Sequence, residues 1–103
     1  MKCLTSLEVV NALQILNTNS KNDHQWTYQD GRLVNQFVFD DFLQAFSWMT
    51  KMSIYAEELN HHPDWCNSYN VVNVKLVTHE KKAITRLDIE MAEKMSSEYA
   101  ITH

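Results

Sequence analysis

The sequence predicts an α+β fold: a two-layer structure with an antiparallel four-stranded sheet in a β-β-α-β-β-α core, helices on one face, and an additional N-terminal helix. Three observations carry this reading. Thr5-Ser6-Leu7-Glu8 and Thr85-Arg86-Leu87-Asp88 have the form of capping boxes, each followed by apolar residues at helical spacing. Asp30-Gly31 lies between two β-prone runs and is a strong hairpin turn signal. Residues 69–79 alternate with period two, as a strand with one buried face does. Hairpins joined by helices pack as a sheet with helices against one side.

Taken in order, Thr5 is the expected N-cap of the first helix, with Glu8 reaching back and Val9, Val10, Leu13 and Leu16 following. Residues 17–23 are polar and read as a loop. Residues 25–39 read as a hairpin, with Trp26 and Tyr28 before the turn and Phe37 and Phe39 on one face after it. Asp40 or Asp41 can cap the next helix, which is expected to run to about Asn60. That helix carries two apolar stripes, Phe42, Phe46, Met49 and Ala56, and Trp48, Met52, Tyr55 and Leu59. One stripe suits the sheet; the other suits a helix or a second subunit. Pro63 ends the element, because a residue before proline avoids helical geometry. Residues 65–68 supply a short strand before the one at 69–79. In that last strand Val72, Val74, Leu76 and Thr78 share a face opposite Val71, Asn73, Lys75, Val77 and His79. Thr85 opens a final helix, with Ile89, Ala92 and Met95 at helical spacing and Asp88 as an N3 capping residue.

With 103 residues the chain is expected to form one domain, residues 1–103, whose modest core favours oligomerisation. A net charge of −4 argues against non-specific binding to nucleic acid or anionic membrane. No apolar run is long enough to span a bilayer, and Met1 to Ser6 lacks the apolar stretch of a signal peptide. Two cysteines, Cys3 near a frayed end and a structural Cys66, are too few for a disulfide framework, which fits a reduced, cytoplasmic protein. Gly31 and Pro63 are the sole glycine and proline, leaving no Gly-rich phosphate loop.

The chemistry-bearing residues are histidines. Of five, His103 reads as a solvated tail and His24 as a surface residue. His61 and His62 fall where a long helix stops, and His79 falls at the expected end of a strand; ends of rigid elements hold reactive groups well. Converging imidazoles can take a proton from one atom and give one to another. The plainer reading is a helix C-terminus favoured by the macrodipole, and spacing alone leaves both open. A zinc site is a third reading, but adjacent helical residues diverge by about 100° and the usual i, i+4 pair is missing. Glu57, four residues before His61, can share its helix face and orient it, or be an ordinary surface pair. Trp65 can stack on a planar ligand or serve as a core aromatic.

Taken together, Glu57, His61-His62-Pro63, the aromatic Tyr69, His79 and Asp88 resemble the pterin-4a-carbinolamine dehydratase family. Phe39-Asp40-Asp41-Phe42, Ala56-Glu57, Asp64-Trp65, Asn67, Tyr69-Asn70, Val74, Leu76 and Thr78-His79-Glu80 extend the resemblance from about Trp26 to Ala92. One departure stands beside the site: members often have glycine shortly after the Thr-His pair, where this chain has Lys81-Lys82-Ala83.

The resemblance implies dehydration of a 4a-hydroxytetrahydropterin to a quinonoid dihydropterin, in the recycling of tetrahydrobiopterin, by an enzyme needing no metal or redox cofactor. It implies His61, His62 and His79 as the catalytic set, with acid–base duties on His61 and His79 and pterin orientation on His62. Glu57, Trp65 and Thr78 are expected at the substrate, Glu57 also supporting His61; Pro63 and Asp88 are expected as structural or supporting residues. The implied partners are a small pterin substrate and further copies of the chain, as homodimer or homotetramer, with neither nucleic acid nor membrane bound directly. Two rival readings remain. One is a dimerisation cofactor that binds a transcription factor through the Trp48, Met52, Tyr55 and Leu59 stripe. The other is a metal-dependent hydrolase or sensor using His62.

Overall fold

The computed structural model describes residues 2–18 and 25–102. His24, His103 and most of the polar segment at 17–23 lie outside the described residues. The order of elements is α1 (Ser6–Thr18), β1 (Thr27–Gln29), β2 (Arg32–Val38), α2 (Phe42–Leu59), β3 (Asp64–Ser68), β4 (Val71–Leu76) and α3 (Arg86–Thr102). The four strands form one sheet in the order β1-β2-β4-β3, antiparallel throughout. The α+β, four-stranded architecture expected from the sequence is thus the one observed.

Local chemistry accounts for most element boundaries. Thr5 Oγ1 accepts from the Glu8 N–H at 3.2 Å, while Glu8 Oε1 accepts from the Thr5 N–H at 2.9 Å. This reciprocal capping box starts α1. Asp30 and Gly31 both take positive φ, 50° and 75°, the geometry of a two-residue turn whose twist matches the β1–β2 hairpin. Asp41 is the N-cap of α2, its Oδ1 accepting from the Gln44 N–H at 2.8 Å.

The sheet buries one face. Leu33, Phe37, Val72, Val74 and Leu76 are fully buried, as the alternation predicts, and Phe39 continues the same face. Trp26, Met91, Ala92 and Met95 complete the core from the helical side.

Four expectations need correction. The strand expected at 69–79 spans only Val71–Leu76: Tyr69 has φ 51° in the turn after β3, and His79 lies beyond the strand in a further turn. In that second turn the Thr78 N–H bonds to Ala83 O and the Lys82 N–H to His79 O, so the chain reverses instead of extending. On α2 the buried positions are Ala45, Trp48, Met52 and Ala56, whereas Phe42 and Phe46 are half exposed. At 100° per residue these four share one narrow arc, and Phe42, Leu43, Phe46 and Ile54 fall on a different one. Cys3 is not in a frayed segment: it forms a β-bridge with Thr85, and the Leu4 N–H bonds to Ile84 O at 2.9 Å. Cys66, expected to be structural, is exposed on β3.

Candidate active site

The site grows from the end of α2. Asn60 adopts left-handed geometry, φ 52° and ψ 44°, and its N–H reaches the carbonyls of Ala56 and Glu57. The His61 N–H then bonds back to Ala56 O at 3.0 Å, a Schellman-type closure of the helix. The chain leaves the helical path at this residue. His61 is therefore not one turn above Glu57 on a helix face; it turns inward and is 7% exposed, while His62 faces solvent.

This changes the expected pairing. Glu57 Oε2 lies 2.5 Å from Nε2 of His62, not of His61, and both side chains are exposed. His61 Nε2 lies 2.6 Å from Oδ1 of Asp88, which is fully buried. Asp88 does act as the capping residue expected of it, its Oδ2 accepting from the Thr85 N–H at 2.9 Å at the start of α3. The same carboxylate therefore starts one helix and holds the histidine that follows another.

Asp88 Oδ2 also accepts from the Thr78 hydroxyl at 2.9 Å, and the Thr78 and Thr85 hydroxyl oxygens are 2.7 Å apart. Both threonines are buried. Thr78, expected to touch substrate, has its hydroxyl turned into the protein. The next residue, His79, is exposed and places Nε2 3.3 Å from Asp64 Oδ2, at the first residue of β3. Each of these three histidines thus has its own carboxylate partner: Asp88 for His61, Glu57 for His62 and Asp64 for His79.

Connectivity draws the three together. Pro63 links His62 to Asp64, Asp64 contacts His79, and Thr78 next to His79 is tied through Asp88 to His61. Trp65 is half-buried, packed against the core with its ring 6.2 Å from that of Trp48. Sequence reasoning gave Asp64 no role beyond its place in the family resemblance, and it did not place Thr85 at the site. Thr85 was legible as an N-cap, but its link to Thr78 and the pairing of Asp64 with His79 depend on long-range folding. Among the described residues, no group of three or more His, Cys, Asp or Glu side chains could hold a metal ion.

A buried His–Asp pair beside two exposed His–carboxylate pairs, on a four-stranded α+β scaffold, defines a candidate acid–base site. The family model for pterin 4 alpha carbinolamine dehydratase matches residues 4–98, and the chain belongs to that family. A provisionally named pterin-4-alpha-carbinolamine dehydratase of Brucella ovis is 43% identical over 96 residues, covering 91% of this chain and 92% of that protein. A likewise provisionally named protein of Roseobacter denitrificans is 47% identical over 74 residues, covering 70% of this chain and 76% of its own length.

Solved structures agree. The crystal structure of a transcriptional coactivator/pterin dehydratase from Brucella melitensis superposes with a TM-score of 0.82 at 39% identity, covering 99% of this chain and all of that one. A pterin dehydratase-like protein that is a RuBisCO assembly factor in the alpha-carboxysome shares the fold, with a TM-score of 0.59, 16% identity and coverage of 74% and 88%.

Proposed function

We propose that the protein dehydrates a pterin-4a-carbinolamine by histidine acid–base catalysis, and the observation that carries this is the buried His61–Asp88 pair, 2.6 Å apart. The reaction breaks the C4a–O bond, the hydroxyl leaving as water after gaining a proton. The N5–H of the substrate gives up its proton, and the electron pair forms the C4a=N5 double bond of the quinonoid dihydropterin. A base gains from a carboxylate behind it, which orients the imidazole and stabilises the imidazolium that forms. Of the three histidines only His61 has that carboxylate buried behind it, so it takes the N5 proton. His79, exposed and paired with Asp64, gives a proton to the leaving hydroxyl. His62, steadied by Glu57, holds the pterin ring.

A coupled assay of carbinolamine dehydration, with and without chelator, tests the reading. Activity indifferent to chelation is expected, with a loss of about 100-fold in His61→Ala and in His79→Ala. Folded variants turning over at the wild-type rate would sink the assignment; loss of activity on chelation would revive the metal reading. The described helices include none long and apolar enough to cross a membrane; a cytoplasmic location is part of this proposal.

The exposed Phe42, Leu43, Phe46 and Ile54 face of α2 is where we place the contact with a second copy in a homodimer or homotetramer. A transcription-factor partner is the second reading, favoured by this same exposed face. The stripe first considered for it is unsuited, because Trp48 and Met52 are buried in the core.

A further inference from the structure

We infer that Thr78 and Thr85 are positioning residues that, acting through Asp88, lock His61 in the tautomer protonated at Nε2 and leave its Nδ1 free to accept a proton. The argument follows the hydroxyl protons. Each threonine hydroxyl has one proton to donate. The Leu87 N–H can only donate, and it points at Thr85 Oγ1 at 3.3 Å. Thr78 donates to Asp88 Oδ2 at 2.9 Å, so its own proton is engaged. The 2.7 Å contact between the two hydroxyls must then carry the Thr85 proton toward Thr78. The chain therefore runs one way, from the Leu87 N–H through Thr85 and Thr78 to Asp88.

At its end, Asp88 Oδ2 receives two donors, the Thr78 hydroxyl and the Thr85 N–H, each at 2.9 Å. Each donor takes a lone pair, and together they fill those of Oδ2, so that oxygen carries no proton. Oδ1 is left to face His61 Nε2 at 2.6 Å, and an ionised oxygen can only accept. Nε2 must carry the proton. Thr78, Thr85, Asp88 and His61 are all buried, so water cannot substitute for a missing donor among them without a rearrangement.

The tautomer claim stands on geometry alone; its catalytic consequence rests on the proposed function. Correlation of imidazole nitrogens and carbon-bound protons by NMR at neutral pH, with His61 assigned by His61→Gln, reads the tautomer directly. The expected result is a wild-type His61 protonated at Nε2, with an Nδ1-protonated population appearing in Thr78→Val and Thr85→Val and disappearing again in Thr78→Ser and Thr85→Ser. In the dehydration assay both valine variants should lose about 10-fold or more in kcat with KM little changed, as when an outer partner orienting a histidine is removed. A wild-type His61 protonated at Nδ1, or valine variants that both keep the wild-type tautomer, would overturn the inference. Thr78→Val leaves the α3 cap in place, so that variant and the wild-type spectrum decide the matter even if Thr85→Val fails to fold. The expected tautomers in a protein that does not dehydrate the carbinolamine would uphold the positioning role and refute the proposed function.

Discussion

His61 and Asp88, 27 residues apart in sequence, meet inside the protein with Nε2 and Oδ1 2.6 Å apart, and neither side chain is more than 8% exposed. A pair so shielded from water is stronger than a surface ion pair and costlier to break, because the remaining partner keeps a polar group with nothing to bond.

Asp88→Ala is therefore expected to lower stability by about 3 kcal/mol or more, through the uncompensated His61 and the loss of the α3 cap. Asp88→Asn keeps the shape but presents a neutral amide, and is expected to cost less stability and at least about 100-fold in kcat through the wrong tautomer. Urea unfolding and the dehydration assay separate the two effects. Equal stability of Asp88→Ala and wild type would contradict the buried pairing.

Glu57→Gln is expected to behave differently. The Glu57–His62 pair is exposed on both sides, and exposed pairs contribute about 0–1 kcal/mol. Its unfolding midpoint should stay within error of wild type, while KM for the pterin rises because His62 is less well held. A drop in kcat as large as that of Asp88→Asn would mean that Glu57 serves the base after all.

Much of this was legible in the chain, and the division is physical. The Thr5–Glu8 box, the Asp30-Gly31 turn and the Asp41 cap are short-range, their partners at most three residues apart, so the sequence displays both halves of each interaction. The burial of Val72, Val74 and Leu76 follows from period two. Pairings at the site were not legible in the same way. Helical spacing placed Glu57 beneath His61, but left-handed Asn60, which is not a glycine, ended the helix one residue too soon for that contact. Alternation through Thr78 and His79 suggested a strand, yet the bridge from Thr78 to Ala83 turns the chain there.

That turn supplies another expected outcome. Lys82 has φ 51°, left-handed geometry that costs a residue with a Cβ about 1 kcal/mol or more. Lys82→Gly should raise stability by about 0.5 kcal/mol after the greater freedom of glycine in the unfolded chain is subtracted. Thermal unfolding is the measurement. A lower midpoint would show that the Lys82 side chain contributes more than its backbone strain costs.

Acid should loosen α1. The backbone N–H of Thr5, the main cause, with Lys2 assisting, holds the Glu8 carboxyl below its ordinary value of 4.5. A carboxyl whose folded value is depressed contributes stability that is fully present above its unfolded value and is lost as pH falls through the folded one. Glu8→Gln keeps a side chain able to complete the capping box but cannot titrate. The midpoint difference between wild type and Glu8→Gln is expected to hold constant from neutral pH to about 4.5 and, below that, to shift in favour of the variant. A difference that stays constant there as well would show that the carboxylate has no part in the pH response.

Phe46→Glu tests the exposed face of α2. The side chain is 52% exposed, so the folded monomer should tolerate the charge with little loss of stability. Sedimentation is expected to show a smaller assembly than wild type. Unchanged mass would move the contact between copies elsewhere.

The bond from the Leu4 N–H to Ile84 O and the bridge from Cys3 to Thr85 have a practical reach. Thr85 is also the residue whose N–H and hydroxyl steady Asp88, directly and through Thr78. The segment before α1 is thus a clasp on the outside of the loop that carries this hydrogen-bond chain. A change that pulls residues 2–4 away would slacken that chain from a distance and mimic an active-site lesion while leaving every histidine intact.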